Sequence, residues 1–116
     1  MKILITGVSG FIGTNLVNEL LKNKKYKLYG VDIRVKKKFP KKNIKIINCD
    51  LKNFRKLKKN VKKIHTIIHL ASETSVLNSL ERPLSSFNNN VILTVNLLEL
   101  ARILKIKKII FTSTGG

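Results

Sequence analysis

The sequence predicts an α/β fold, a doubly wound parallel sheet of about five strands, and three observations carry that expectation. Short apolar, β-branched runs alternate with segments of helical period. A glycine-rich turn follows the first such run and opens the first helical pattern. An aspartate, Asp32, ends the second run about twenty residues beyond the last of those glycines.

The elements follow in order. Lys2 to Thr6 is nearly all apolar, as a strand covered on both faces requires. Phe11, Ile12, Leu16, Val17, Leu20 and Leu21 recur at helical spacing, and the pattern stops near Asn23. Tyr26 to Ile33 is a second strand, Val35 to Asn43 a basic loop broken by Pro40, and Ile44 to Cys49 a third strand. Asp50 to Val61 reads as a short helix with Leu51, Phe54, Leu57 and Val61 inward. Ile64 to Leu70 is a fourth strand. Arg82-Pro83 opens a long helix, since proline is tolerated in a first turn. Its expected inner face is Phe87, Val91, Val95, Leu98 and Ala101. Ile106 to Thr114 is the fifth strand. Parallel units with right-handed crossovers place a cleft at the C-terminal ends of the strands, where strand order reverses.

At 116 residues, 43% hydrophobic and 26% charged, the chain is one domain or part of one. No apolar run approaches the ~18 residues of a membrane span, and Met1 to Ile5 leads into Thr6-Gly7 as a strand, not a signal peptide. No membrane partner is expected. The single cysteine, Cys49, forms no internal disulfide, which suits a cytoplasmic protein, and reads as a small strand-end residue. The net charge of +18 comes from lysine far more than arginine. A polyanion partner is one reading. Compositional bias towards Lys, Asn and Ile is the favoured one, because base-reading arginines and aromatic stacking platforms are absent, and nucleic acid is an unexpected partner. No His, Cys or acidic set has metal-ligand spacing, so no metal site is expected. Ser9 and Ser72 lack a nearby base and orienting acid, which argues against hydrolase chemistry.

The turn Thr6-Gly7-Val8-Ser9-Gly10-Phe11-Ile12-Gly13 has the chemistry of a pyrophosphate cradle. Its glycines allow a tight turn and close approach of a phosphate, and the following helix offers unpaired N–H groups and its positive dipole end. Asp32 is placed to take both ribose hydroxyls of an adenosine, with Ile33 beside it. A further phosphate on that ribose would meet a like charge, so NAD is favoured over NADP; Arg34 softens that preference.

These residues resemble the extended short-chain dehydrogenase/reductase superfamily, the NAD-dependent epimerase/dehydratase family, over nearly the whole chain. Thr6-Gly-x-x-Gly-x-x-Gly13 matches its cofactor signature. Asp50-Leu51 is similar to the family's pair beside the adenine, and His69-Leu70-Ala71-Ser72 to its His-x-Ala-Ala against the cofactor, with Ser72 in place of alanine. The loop Glu73 to Pro83 resembles the substrate side of sugar epimerases. Asn90-Val91 and Thr94 to Glu99 resemble the long-helix signature, whose first asparagine supports the site; Leu93 departs from an expected glycine, which predicts disturbed packing there. Phe111 to Gly116 resembles the strand delivering a catalytic serine or threonine, with Thr114 the first candidate and Ser113 the second.

The resemblance implies a Rossmann-type fold, NAD as cofactor, a UDP- or dTDP-linked sugar as substrate and a homodimer built on the long helix. It implies chemistry in which a tyrosine, activated by a lysine, takes a proton from the sugar while hydride passes to NAD. The sequence 1–116 contains no Tyr-x-x-x-Lys, since Gly30 and Ile33 stand four residues beyond Tyr26 and Tyr29. The expectation is therefore an incomplete NAD-binding domain over 1–116, its sixth and seventh strands and substrate domain absent, that is inactive by itself. His69 is expected to be a packed strand-end residue and His65 to be exposed. A non-catalytic NAD-binding or regulatory module, and a basic nucleic-acid-associated protein on the same scaffold, are the alternatives.

Overall fold

The computed structural model describes residues 1–35, 37–71 and 80–112. Five strands, β1 (Lys2–Thr6), β2 (Lys27–Asp32), β3 (Ile44–Asn48), β4 (Thr66–His69) and β5 (Lys108–Phe111), form one sheet in the order β3-β2-β1-β4-β5. Every pairing is parallel, with β1 central between β2 and β4. The helices are α1 (Phe11–Leu20), α2 (Phe54–Asn60) and α3 (Pro83–Leu104).

Alternation along the strands divides the core into two layers. On one face Leu4, Val31, Ile47 and Ile67 pack with Leu57 of α2 and Leu97, Leu100 and Ala101 of α3. On the other, Ile3, Ile5 and Leu28 pack with Val8 and with Val17 of α1, joined by half-buried Leu16 and Leu20. Fully burying each of these aliphatic side chains contributes about 1.5–3 kcal/mol. Among the described residues of the basic loop between β2 and β3 there is no helix, and Phe39 packs on the α1 side. Asn53 caps α2, its side-chain oxygen accepting from Lys56 N–H at 3.1 Å.

The long helix turns a different face inward from the one its apolar spacing suggests. Phe87, Val91, Val95 and Leu98 are all exposed, and of the expected inner face only Ala101 is buried. The packed stripe runs Ser86, Asn90, Leu93, Leu97, Leu100 and Leu104. The physical reason is that α3 is apolar on two sides, and its inward stripe becomes polar at the cleft end, where Ser86 and Asn90 interrupt the hydrophobic pattern. Phe11 and Ile12 likewise leave the core pattern of α1: they are 82% and 61% exposed in its first turn.

Candidate dinucleotide-binding site

Around the C-terminal end of β1 the glycines are required by backbone geometry. Gly7 has φ of +70°, and a Cβ there would lie 2.8 Å from the Ala71 backbone nitrogen. A Cβ at Gly13 would lie 2.8 Å from the Val8 carbonyl oxygen, so α1 packs directly on the turn that precedes it. Gly10 is different: it is exposed, and a Cβ there would meet only the Gly7 carbonyl, at 3.4 Å. Gly10 is also the N-cap of α1, and no side chain caps this helix. The first-turn N–H groups of a helix have no carbonyl four residues back. Two of them, on Phe11 and Ile12, belong to exposed residues beside the mouth of a cleft, so the turn combines an open surface, helix-end donors and a positive dipole end.

That cleft has a volume of about 490 Å³ and is bounded by the ends of β1, β2, β3 and β4 and the first half of α3. Gly7, Gly10, Asp32, Ile33, Asp50, Leu51, Leu70, Ala71 and Asn90, all expected from the sequence, line it. Phe11, Ile12 and Gly13 do not: the first two are exposed beside it and Gly13 is buried beneath it. Ser72, Ser113, Thr114 and the loop 73–79 lie outside the described residues.

Asp32 closes one wall. Its Oδ2 accepts from Ser9 N–H at 2.9 Å and its Oδ1 from Ile33 N–H at 2.8 Å. The carboxylate is thereby fixed against the glycine turn, and each oxygen retains acceptor capacity for a ligand hydroxyl. Asp50 holds its own loop, with Oδ1 accepting from Lys52 N–H at 2.9 Å. Leu51 is buried, and its carbonyl accepts from Asn96 Nδ2 of α3 at 2.6 Å.

At the end of β4, His69 is buried as expected, against Thr6 and the ring of Phe111. Burial pushes its pKa below the ordinary value. His65 is exposed, and its Nδ1 accepts from Lys2 N–H at 2.9 Å, which ties the start of β4 to β1. Cys49 is buried in the cleft wall, and burial pushes its thiol pKa up, so it is a packing group there and not a thiolate.

Sequence reasoning missed Val31, Cys49, Lys52, Asn89 and Leu93 as cleft-lining residues. Most are immediate neighbours of expected residues, and the parallel strand ends would have brought Val31 and Cys49 in with Asp32 and Asp50. Leu93 is half-buried, packs on the α2–α3 side core and lines the cleft, within an unbroken α3.

The residues fit a dinucleotide. A glycine-rich turn at a helix N-terminus suits the pyrophosphate, Asp32 the adenosine ribose, and the apolar walls with Asp50 the adenine. The model for the NAD dependent epimerase/dehydratase family matches residues 3–116. A putative UDP-glucose 4-epimerase of Methanocaldococcus jannaschii is 36% identical over 120 residues, covering 98% of this chain and 38% of its own length. The dTDP-D-glucose 4,6-dehydratase of Dictyostelium discoideum is 37% identical and covers 97% of this chain and 29% of its own length. Among solved structures, UDP-glucose 4-epimerase of Thermotoga maritima with UDP-glucose superimposes with a TM-score of 0.88 at 31% identity, over all of this chain and 38% of the other. The Thermus thermophilus UDP-glucose 4-epimerase in complex with NAD gives 0.87 at 30% identity, again over 38% of its length. The chain thus spans less than two-fifths of these relatives, and with its glycine turn, Asp32 and parallel sheet in place it belongs to the NAD dependent epimerase/dehydratase family.

Proposed function

We propose that residues 1–116 are the NAD-binding portion of a nucleotide-sugar epimerase or dehydratase, most like UDP-glucose 4-epimerase. The observation that supports this most directly is the glycine turn packed on Asp32: Ser9 N–H reaches Asp32 Oδ2 at 2.9 Å, which sets a carboxylate beside the uncapped N-terminus of α1. When bound, NAD supplies hydride acceptance and return. This chain's own residues bind and orient it. The first turn of α1, at Phe11 and Ile12, donates to the pyrophosphate. Asp32 takes the adenosine hydroxyls and excludes a further phosphate by like charge. Asp50 and Leu51 hold the adenine, and Leu70, Ala71, Ser72 and Asn90 hold the part of the cofactor nearest the reaction.

Thr114, with Ser113 as second candidate, supplies the hydroxyl that hydrogen-bonds the sugar oxygen. Thr112 just before them donates through Oγ1 to the His69 carbonyl at 3.0 Å, which fixes the exit of β5 against the end of β4. The tyrosine and lysine that move the proton are not in this sequence. Catalysis on a UDP- or dTDP-linked sugar, in the cytoplasm and as a homodimer through the outer face of α3, belongs to the whole enzyme.

Thermal unfolding with and without nucleotides tests this reading. NAD at about a hundred times its Kd raises stability by about 2.7 kcal/mol through linkage, and NADP raises it less. An unchanged melting temperature at millimolar NAD rejects the cofactor assignment. Loss of the NAD effect in Gly10→Ala with the fold intact locates binding in the glycine turn.

A further inference from the structure

Lysine is unevenly placed in this fold. α1 carries none, and α3 carries none along 22 residues, although both have exposed faces, while α2 carries Lys56, Lys58 and Lys59. In an all-parallel sheet every connection that enters a strand lies at the same end, opposite the cleft. β2, β3 and β4 are each entered through a pair of adjacent exposed lysines, Lys24–Lys25, Lys41–Lys42 and Lys62–Lys63. β5 is entered through exposed Lys105 and Lys107, and Lys2 and Lys27, opposed in register, open β1 and β2. Strands lie about 4.8 Å apart, so these side chains form a row roughly 20 Å long across the sheet. The segments 22–27, 41–43, 61–65 and 105–108 contain no acidic residue. Glu19, in the last turn of α1, is paired with Lys22 at 2.9 Å.

A second observation concerns the backbone. Lys63 and Lys105 have φ of 55° and 54°, left-handed conformations in which glycine or asparagine is the low-strain residue. Asn43, in the same row, has φ of 66° and follows that preference. Lysine stands at the other two positions against it. Compositional bias accounts for many lysines; it does not account for their absence from α1 and α3 or their placement at strained turns.

Against the expectation from the sequence that no membrane is a partner, we propose that the end of the sheet opposite the cleft is a docking surface for anionic lipid headgroups, on which the protein lies with its cleft facing away. The row is a crest of loop tips, with lysines in place of guanidinium forks and no helix or ribbon that projects into a groove. Laterally mobile headgroups gather under such a crest without geometric matching, each nearby lysine contributing about fivefold in partition. A nucleic-acid duplex is itself convex and holds its phosphates at fixed spacing, so the crest meets only a few of them. Peripheral docking needs no spanning segment, and among the described residues no helix is long and apolar enough to cross a membrane.

Co-sedimentation with vesicles of about one-third phosphatidylserine in phosphatidylcholine, at roughly physiological salt, reads this out. The expected result is partition onto these vesicles, none onto pure phosphatidylcholine, and release as the salt is raised. Changing Lys24, Lys25, Lys62 and Lys63 together to Glu weakens partition on the order of 100-fold or more. The same charge change at Arg34, Lys37, Lys52 and Lys56, on the cleft side, leaves most of it. The double variant K63G/K105G relieves backbone strain, so it melts higher while partitioning less, a split that misfolding does not produce. Equal loss in the two charge-swapped variants, no partition by the unaltered protein, or tighter binding to a DNA or RNA duplex at the same salt overturns the proposal.

Discussion

The Thr6 hydroxyl lies 2.7 Å from Nδ1 of His69 and joins the ends of two neighbouring strands. Thr6 Oγ1 also accepts the N–H groups of Leu70 and Ala71, both at 3.1 Å. With its lone pairs engaged, its proton points at Nδ1, which must then be the unprotonated nitrogen of a neutral imidazole. One hydroxyl therefore positions the cleft wall formed by Leu70 and Ala71 and selects the histidine tautomer.

Removing that hydroxyl takes the partner from the Ala71 N–H and the ring nitrogen, while Leu70 N–H keeps the Thr6 carbonyl at 3.2 Å. Thr6→Val is expected to lose about 2–3 kcal/mol in urea unfolding, with Thr6→Ser close to the unaltered protein. Equal stability of Thr6→Val would show that the network contributes nothing.

Burial lowers the His69 pKa, so its effect on stability has a definite sign. Below about pH 6.5 the unfolded chain binds a proton that the folded chain refuses. Its contribution is complete above that pH and declines as the pH falls towards the folded value. His69→Gln is expected to flatten this part of the profile; an unchanged slope in urea midpoints between neutral and mildly acidic pH refutes the assignment.

Gly7 and Gly10 should separate stability from binding. Gly7→Ala forces a Cβ into a left-handed residue and to 2.8 Å from Ala71 N, both backbone constraints, and is expected to destabilise by about 2–3 kcal/mol. Gly10→Ala meets only an atom at 3.4 Å, so its unfolding midpoint stays within about 0.5 kcal/mol while NAD affinity falls, because the methyl occupies phosphate space. Calorimetric titration and unfolding of both variants check the split.

Asn96 supports the Leu51 side of the cleft through its 2.6 Å hydrogen bond to the Leu51 carbonyl. Asn96→Leu leaves that carbonyl unpaired, with an expected loss of about 1–3 kcal/mol in stability. Weaker binding of AMP than in the unaltered protein, with nicotinamide mononucleotide unaffected, would locate the effect at the adenosine end.

Lys105 ends α3 with φ of 54°. Lys105→Gly is expected to stabilise by about 1 kcal/mol and raise the melting temperature by roughly 4–8 °C. A lower melting temperature would mean that the lysine side chain makes a contact that outweighs the strain.

Much of the architecture was legible because period and punctuation agree: apolar runs, Gly7 to Gly13, Asn53 before α2 and Pro83 at the start of α3 each mark their element locally. The cleft was legible for a related reason, since strand order places Asp32, Asp50 and Leu70 at one end. The inward face of α3 was not. Phe87, Val91, Val95 and Leu98 satisfy helical spacing as well as Leu93, Leu97 and Leu100 do, and only packing against α2 and the sheet decides between two apolar stripes. Asn96 and Cys49 were equally hidden, because their partners, the Leu51 carbonyl and the Asp50 carbonyl, are backbone groups with no signature in sequence.

The central position of β1 has a consequence for how the chain comes into being. β1 meets β2 about 25 residues downstream, but its other neighbour, β4, only after more than 60 residues have been made. A chain emerging from the ribosome can zip β1 to β2 early, yet it carries one open edge of its innermost strand until residue 69 is free. The Thr6 hydroxyl cannot reach Leu70 and Ala71 before then, so the wall that would hold a cofactor waits for β4 to dock. Nonlocal closure of this kind is slow. A nucleotide present during synthesis would therefore capture only chains in which β4 has docked on β1, and its binding would mark that closure.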